Sequence, residues 1–170
     1  RRGRFAAVTN YTEAPPDPLP PRSRGELVMD FLVGDAEPDA YLEAVAARGG
    51  AYRGFNLVVG GARGLWYFSN RLAETPAPRP LTPGIYGLSN HLLDTAWPRV
   101  NRGKTALSDF ERAEAAPEVE TLLALLGDTT EPRDAEILAV PDGVRGLGAR
   151  MPCFITGETY GTRASTVLLQ

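Results

Sequence analysis

The stretch Phe55-Asn56-Leu57-Val58-Val59-Gly60-Gly61-Ala62-Arg63-Gly64-Leu65-Trp66-Tyr67-Phe68-Ser69 decides the fold class. Two runs of aromatic and β-branched residues, 55–59 and 65–69, flank five residues of which three are glycine. A β-hairpin with a glycine-rich loop is the expected form. Gly60, Gly61 and Gly64 lack the spacing and the following helix that a dinucleotide loop requires, so they are read as turn residues. Upstream, residues 4–10 alternate weakly around Phe5, Val8 and Thr9 and predict another strand. It ends in a loop over 14–22, where five prolines exclude regular hydrogen bonding.

Between these strands the periodicity changes to that of helices. Ser23 and Glu26 have capping-box spacing, and Leu27, Val28, Phe31 and Leu32 recur at helical intervals up to Gly34. Pro38 and Asp39 open a second helix with Tyr41, Leu42, Val45 and Ala46 on one face, closed by Gly49 and Gly50. Downstream of the hairpin the spacing predicts a short strand over 84–89, an irregular stretch over 90–102 and a helix from Thr105 with Leu107 and Phe110. A further helix starts at Pro117 with an apolar face of Val119, Leu122, Leu123 and Leu126. Residues 128–150 are read as mostly irregular, and 154–156 with 162–169 as a closing hairpin. Paired helices between hairpins, without strict strand-helix alternation, argue for an α+β fold with antiparallel sheet.

Composition narrows the function classes. The 170 residues fit one domain, 1–170, that can fold without staples. A net charge of −3 gives no general attraction for a phosphate backbone, so nucleic acid is not an expected partner. No apolar run approaches the roughly 20 residues of a membrane span. The single cysteine, Cys153, has no internal disulfide partner and favours a reducing compartment, which makes the cytoplasm the default; its neighbours Phe154 and Ile155 point to a core thiol. The single histidine, His91, supports neither a multi-imidazole metal site nor a Ser-His-Asp arrangement, and a packing or surface role is expected for it. No metal and no cofactor is expected. The opening Arg1-Arg2-Gly3-Arg4, followed directly by a strand-like segment, reads as an internal sequence, so the domain is expected to be truncated at its N-terminus.

Several segments, taken in order, carry a family resemblance. They are Gly3-Arg4-Phe5-Ala6-Ala7-Val8-Thr9-Asn10, Ser23-Arg24-Gly25-Glu26-Leu27-Val28, Tyr52-Arg53-Gly54-Phe55-Asn56-Leu57, Tyr86-Gly87-Leu88-Ser89-Asn90 and Leu93-Asp94-Thr95-Ala96-Trp97-Pro98-Arg99-Val100 with Gly103-Lys104. The last is Tyr160-Gly161-Thr162-Arg163-Ala164-Ser165-Thr166-Val167-Leu168-Leu169. This series resembles the NRDE family, also called the transport and Golgi organisation protein 2 family. The Asn-Arg-Asp-Glu tetrapeptide and the cysteine that follows the initiator Met in that family are absent from these 170 residues.

The family is similar to N-terminal nucleophile hydrolases. The resemblance therefore implies an αββα sandwich, in which two antiparallel sheets face each other with helices outside. It also implies amide or acyl bond hydrolysis by a residue at the mature N-terminus of the full-length protein, with amide donors holding the oxyanion. Asn90 resembles the strand-end asparagine that serves this purpose in related acylases, and Asn10 is a second strand-end candidate. Either asparagine can equally bond its local backbone in a turn. Arg163 offers a fixed charge for a carboxylate, or else a structural ion pair. Tyr86, Asp94 and Trp97 are candidate pocket walls, Trp97 alternatively a core anchor. The resemblance leaves a second function open, non-catalytic binding and trafficking of haem or acyl-lipid metabolites, since the family is linked to both. A small-molecule amide, acyl-lipid or haem is the expected ligand.

Overall fold

The hairpin forms as its residues predict, and it is the centre of an open, wholly antiparallel sheet. The computed structural model describes residues 3–15, 22–72, 76–113 and 116–169. Strands β1 (Phe5–Asn10), β2 (Phe55–Gly61), β3 (Gly64–Ser69) and β4 (Arg79–Leu81) lie in the order β1-β2-β3-β4. Ala6 pairs with Val59 and Val8 with Leu57, while Leu57 also faces Phe68 and Val59 faces Trp66. With side chains alternating across the pleat, these pairs share one face. The turn works because Gly64 adopts φ of +101°, a region that a side chain disfavours.

Helices α1 (Gly25–Val33) and α2 (Pro38–Ala46) cover that face. Leu27, Phe31, Tyr41, Leu42 and Val45 from the helices meet Phe55, Leu57, Val59 and Phe68 from the sheet in one buried cluster. The Tyr41 hydroxyl donates to the Leu27 carbonyl at 2.7 Å, and burial pushes its pKa up to about 12. At the start of α1 the Glu26 carboxylate accepts from the Ser23 N–H at 3.4 Å, and Ser23 Oγ accepts from the Gly25 N–H at 3.3 Å. The reach-back half of the expected capping box is therefore present, and the serine serves an earlier amide than the box requires. Most of the proline-rich loop over 14–22 lies outside the described residues.

The chain divides into two compact units, Arg1–Gly84 with Leu88–Leu93, and Ile85–Gly87 with Asp94–Gln170. The sheet and α1 and α2 belong to the first. The second holds α3 (Pro98–Arg112), α4 (Val119–Leu126), α5 (Asp134–Leu138) and α6 (Asp142–Arg145). Trp97, Val100, Ile137, Val140 and Ala149 form its core. Arg102 grips the Glu136 carboxylate at 2.7 and 3.0 Å. These bonds, with those from the Arg133 side chain and N–H, hold its pKa near 2.

Several sequence expectations change here. Helix α3 starts at Pro98, not near Thr105, because proline at the first helical position sacrifices no intrahelical bond. Residues 84–89, 154–156 and 162–169 are not strands. A strand needs a backbone ladder, and these segments bond otherwise: Gly87 and Asp94 close a loop on each other, with the Asp94 N–H on the Gly87 carbonyl at 2.7 Å. Ile155 and Thr162 do likewise, joined by one backbone bond of 2.8 Å and one to Thr162 Oγ1 of 3.0 Å. Conversely, β4 lies in the proline-rich residues 76–83, a stretch for which the sequence predicts no strand. The described residues thus carry an α+β fold with one four-stranded sheet, helices on one of its faces.

Leu57 is fully buried at the centre of this sheet. Replacing it with alanine is expected to destabilise the chain by about 2–5 kcal/mol through lost transfer energy and a cavity between β1, β3 and the helices. Urea unfolding of the two proteins at one temperature measures the difference.

Candidate functional site

The sheet face turned away from α1 and α2 carries polar groups at one end. Asn56 is fully buried there, the second residue of an otherwise apolar strand. A buried amide must find partners, and Asn56 finds three. Its Nδ2 donates to Thr9 Oγ1 at 3.1 Å and to the His91 carbonyl at 2.9 Å, and its Oδ1 accepts from the Tyr67 hydroxyl at 2.8 Å. Tyr67 in turn accepts from the Leu93 N–H at 3.2 Å. Beside them the Thr12 N–H donates to the Asn90 carbonyl at 2.7 Å, and the Tyr11 hydroxyl meets His91 Nε2 at 2.8 Å, with the ring centroids 4.6 Å apart and the planes tilted by 30°. The segment 90–93 is thereby tied to β2, to β3 and to the two residues after β1 by four hydrogen bonds.

Burial sets the ionisation of this cluster. It raises the pKa of Tyr67 and of Tyr11, the latter also through the Glu13 carboxylate, and it lowers that of His91. The bond between the Tyr11 hydroxyl and His91 Nε2 runs in either direction, according to which nitrogen of the neutral ring carries the proton. Glu13 is itself gripped by Arg71 through two bonds of 2.9 and 3.0 Å.

Asn90 sits at the outer end of this arrangement with φ of 53°, a left-handed conformation that asparagine tolerates better than most residues. Its Oδ1 is 3.4 Å from Ser89 Oγ, while its Nδ2 donates to no acceptor among the described residues. Asn10 is exposed and paired with Phe55, so the alternation of β1 assigns it to the helix-covered face, opposite Thr9 and Asn56. Asn10 therefore lies on the opposite face of the sheet from the Asn56 cluster.

The other candidates belong to the second unit. Asp94, with φ of 61°, accepts from the Gly87 N–H at 2.9 Å and from Lys104 Nζ at 2.6 Å, bracing the entry to α3. Trp97 is the N-cap residue of α3 and fully buried, with the Arg99 guanidinium 5.0 Å above its ring. Tyr86 is 37% exposed. Gly87 beside it lies so close to Val100 that a Cβ there would collide with the valine Cγ1. Arg163 is exposed, and no acceptor among the described residues engages it. Cys153 is half-buried, which raises its thiol pKa. Among the described residues no group of three or more His, Cys, Asp or Glu side chains converges as a metal site, and no helix is long and apolar enough to cross a membrane.

The model of the family described as Transport and Golgi organisation 2 matches residues 1–170. This chain belongs to that family. It is 36% identical over 181 residues to the human "Transport and Golgi organization protein 2 homolog", covering 99% of this chain and 64% of the human protein. The mouse "Transport and Golgi organization 2 homolog" is 34% identical over the same length, and the bovine homologue 38% over 180 residues, each again at 64% of its own length. The chain thus spans somewhat under two thirds of the curated relatives it matches.

Within this member of the Transport and Golgi organisation 2 family, the sequence reading singled out Asn90 but not the groups that fix it. Asn56 was legible in principle, as one amide inside the apolar run Phe55–Gly61. The Glu13 to Arg71 pair spans a sequence separation of 58 and left no local signal.

Changing Asn56 to alanine strands the Tyr67 hydroxyl and the His91 carbonyl. It is expected to cost about 2–3 kcal/mol in urea unfolding and to speed hydrogen exchange at the Leu93 amide. The His91 contribution has a definite sign. Its folded pKa lies below the ordinary 6.5, so that stability is complete above about pH 6.5 and is lost as the pH falls through the lower folded value. A His91→Gln variant is expected to flatten the stability profile between about pH 5 and 7, measured by unfolding at a series of pH values.

Proposed function

We propose that the whole protein to which these residues belong hydrolyses an amide or related acyl bond of a small molecule, on a scaffold like that of the N-terminal nucleophile hydrolases. In this reading a second antiparallel sheet faces the side of the sheet turned away from α1 and α2. A cysteine at the mature N-terminus attacks the carbonyl, its α-amine takes the proton, and Asn90 Nδ2 donates to the oxyanion that forms. Within the second unit, Tyr86 and Asp94 are the candidate pocket walls and Arg163 the candidate charge for a carboxylate, while the fully buried Trp97 serves as a core anchor. Cytoplasmic residence fits the lone thiol of Cys153.

One observation carries the proposal. Asn90 holds a left-handed backbone, pinned through Thr12, with its amide donor uncommitted among the described residues. A donor fixed in advance at a strand-end position suits charge that develops during reaction, because no reorganisation is needed when the oxyanion appears. The relatives extend beyond the part matched here, so the activity is assigned to the whole protein.

Full-length enzyme assayed on a panel of acyl-amides is expected to turn over at least one member. Turnover should disappear when the N-terminal cysteine becomes alanine, and Asn90→Ala should lower kcat by about 10²–10³ with little change in KM. Equal turnover by the cysteine variant and the parent would remove this mechanism.

A second reading is binding and trafficking of haem or an acyl-lipid without catalysis. It is supported by Phe5 and Leu65, 36% and 44% exposed, which flank Gly60 on the sheet face turned away from the helices. Titration of full-length protein with haem and with palmitoyl-CoA is then expected to saturate at stoichiometric ligand. A linear, unsaturable response to both would end that alternative.

A further inference from the structure

The arginines of the first unit are unequally served. Arg4 donates to the Phe31 and Ala36 carbonyls and lies over the Phe31 ring. Arg22, Arg48 and Arg71 each hold a carboxylate, from Glu26, Asp30 and Glu13 respectively. Arg53 differs. It is half-buried, its Nε, like that of Arg48, is fully shielded from solvent without a hydrogen-bond partner, and, unlike Arg48, it meets no acceptor among the described residues with any part of its guanidinium. Its backbone is nonetheless fixed, since Asn70 Nδ2 donates to the Arg53 carbonyl at 3.3 Å and to those of Gly49 and Tyr52.

Arg24 faces the same place from the start of α1. Its Nη1 donates to the Gly54 carbonyl at 2.9 Å, the oxygen that also accepts from the Tyr11 N–H at 2.9 Å. That single bond leaves the rest of its fork without an acceptor among the described residues. The pKa of Arg24 is lowered, first by burial and then by the positive charge of Arg53. Its bond to Gly54 thus sets Arg24 beside the residue that follows Arg53, while Glu26 and Asp30 are committed to Arg22 and Arg48, and Glu13, whose Oε1 lies near Gly54, is committed to Arg71. Folding has set two like charges close along the chain's path, one of them with a desolvated donor, Arg53 Nε, that nothing in the described residues satisfies, an arrangement an incoming oxyanion would relieve through charge-assisted bonds to the two forks.

We propose that Arg24 and Arg53 form a binding site for the oxyanion group of a small-molecule ligand, a carboxylate or a phosphate, at the end of the sheet where β1 finishes and β2 begins. The site lies at the same end of β1 as Asn90. Tyr11 bonds Gly54 and the next residue, Thr12, bonds the Asn90 carbonyl. The inference stands apart from the hydrolase reading, because it concerns anion capture and requires no nucleophile.

The test is thermal unfolding of the 170-residue chain with inorganic phosphate, and separately with acetate, at an ionic strength held constant with sodium chloride. A saturable rise in Tm with at least one of the two ions is expected, since a ligand that binds only the folded state stabilises it by mass action. A response to phosphate alone assigns a phosphate source, and a response to acetate alone a carboxylate source. Arg53→Gln and Arg24→Gln are each expected to weaken the apparent affinity at least about tenfold, the loss of one charge-assisted contact. Arg63→Gln, on the exposed hairpin turn, should leave it unchanged. Without anion, Arg53→Gln should unfold at or above the parent Tm, because it removes a like charge and no hydrogen bond; this separates loss of binding from loss of fold. No saturable response to either ion beyond chloride, or undiminished affinity in Arg53→Gln, would overturn the proposal.

Discussion

Asn56 occupies a place where the hairpin pattern calls for an apolar side chain, and an amide buried there without partners would cost about 2–7 kcal/mol. The chain meets that requirement with Thr9 from β1, Tyr67 from β3 and the His91 carbonyl from the segment 90–93. Each acceptor or donor comes from a different stretch of sequence, so the network can close only when β1, β2, β3 and that segment are all in register. An apolar residue would have permitted slippage or a looser covering of this face. The amide permits one arrangement, which is how a polar residue confers uniqueness at some cost in burial energy.

The same network explains why a short segment without helix or strand is ordered. Segment 90–93 spends its backbone groups on partners from the sheet, Asn90 on Thr12, His91 on Asn56 and Leu93 on Tyr67. Its shape is dictated by the surface it lies on. The left-handed turn at Asn90 follows from the need to deliver these carbonyls and amides in sequence, and among the described residues the Asn90 side chain is held only through its Oδ1, by the Ser89 hydroxyl.

Local patterns made the first unit legible. The alternation of Phe55–Gly61, the glycine loop and the helical spacing of Leu27, Phe31, Tyr41, Leu42 and Val45 each encode their own geometry, and the structure agrees with them in all but the helix boundaries. The second unit was less legible because its segments meet partners far along the chain. Phe154 bonds Asp128, a pairing that β-propensity does not forecast, while Thr162 and Ile155, from the two arms of the expected closing hairpin, do meet but form no ladder. The run Thr162 to Leu169 has the composition of a strand, but composition supplies no neighbour to pair with. The polar constellation divided in the same way. Asn90 could be proposed from its surroundings in sequence, whereas Arg24 beside Arg53, or Glu13 on Arg71, arises only when distant loops converge.

The last strand of the sheet, β4, is three residues long with Pro80 at its centre, opposite Trp66. Proline brings no N–H, and a brief proline-bearing border is one of the ways proteins discourage the lateral accretion that leads to fibres. Growth of the sheet is thus blunted beyond Arg79–Leu81, which directs any edge-to-edge recruitment of an additional strand towards β1.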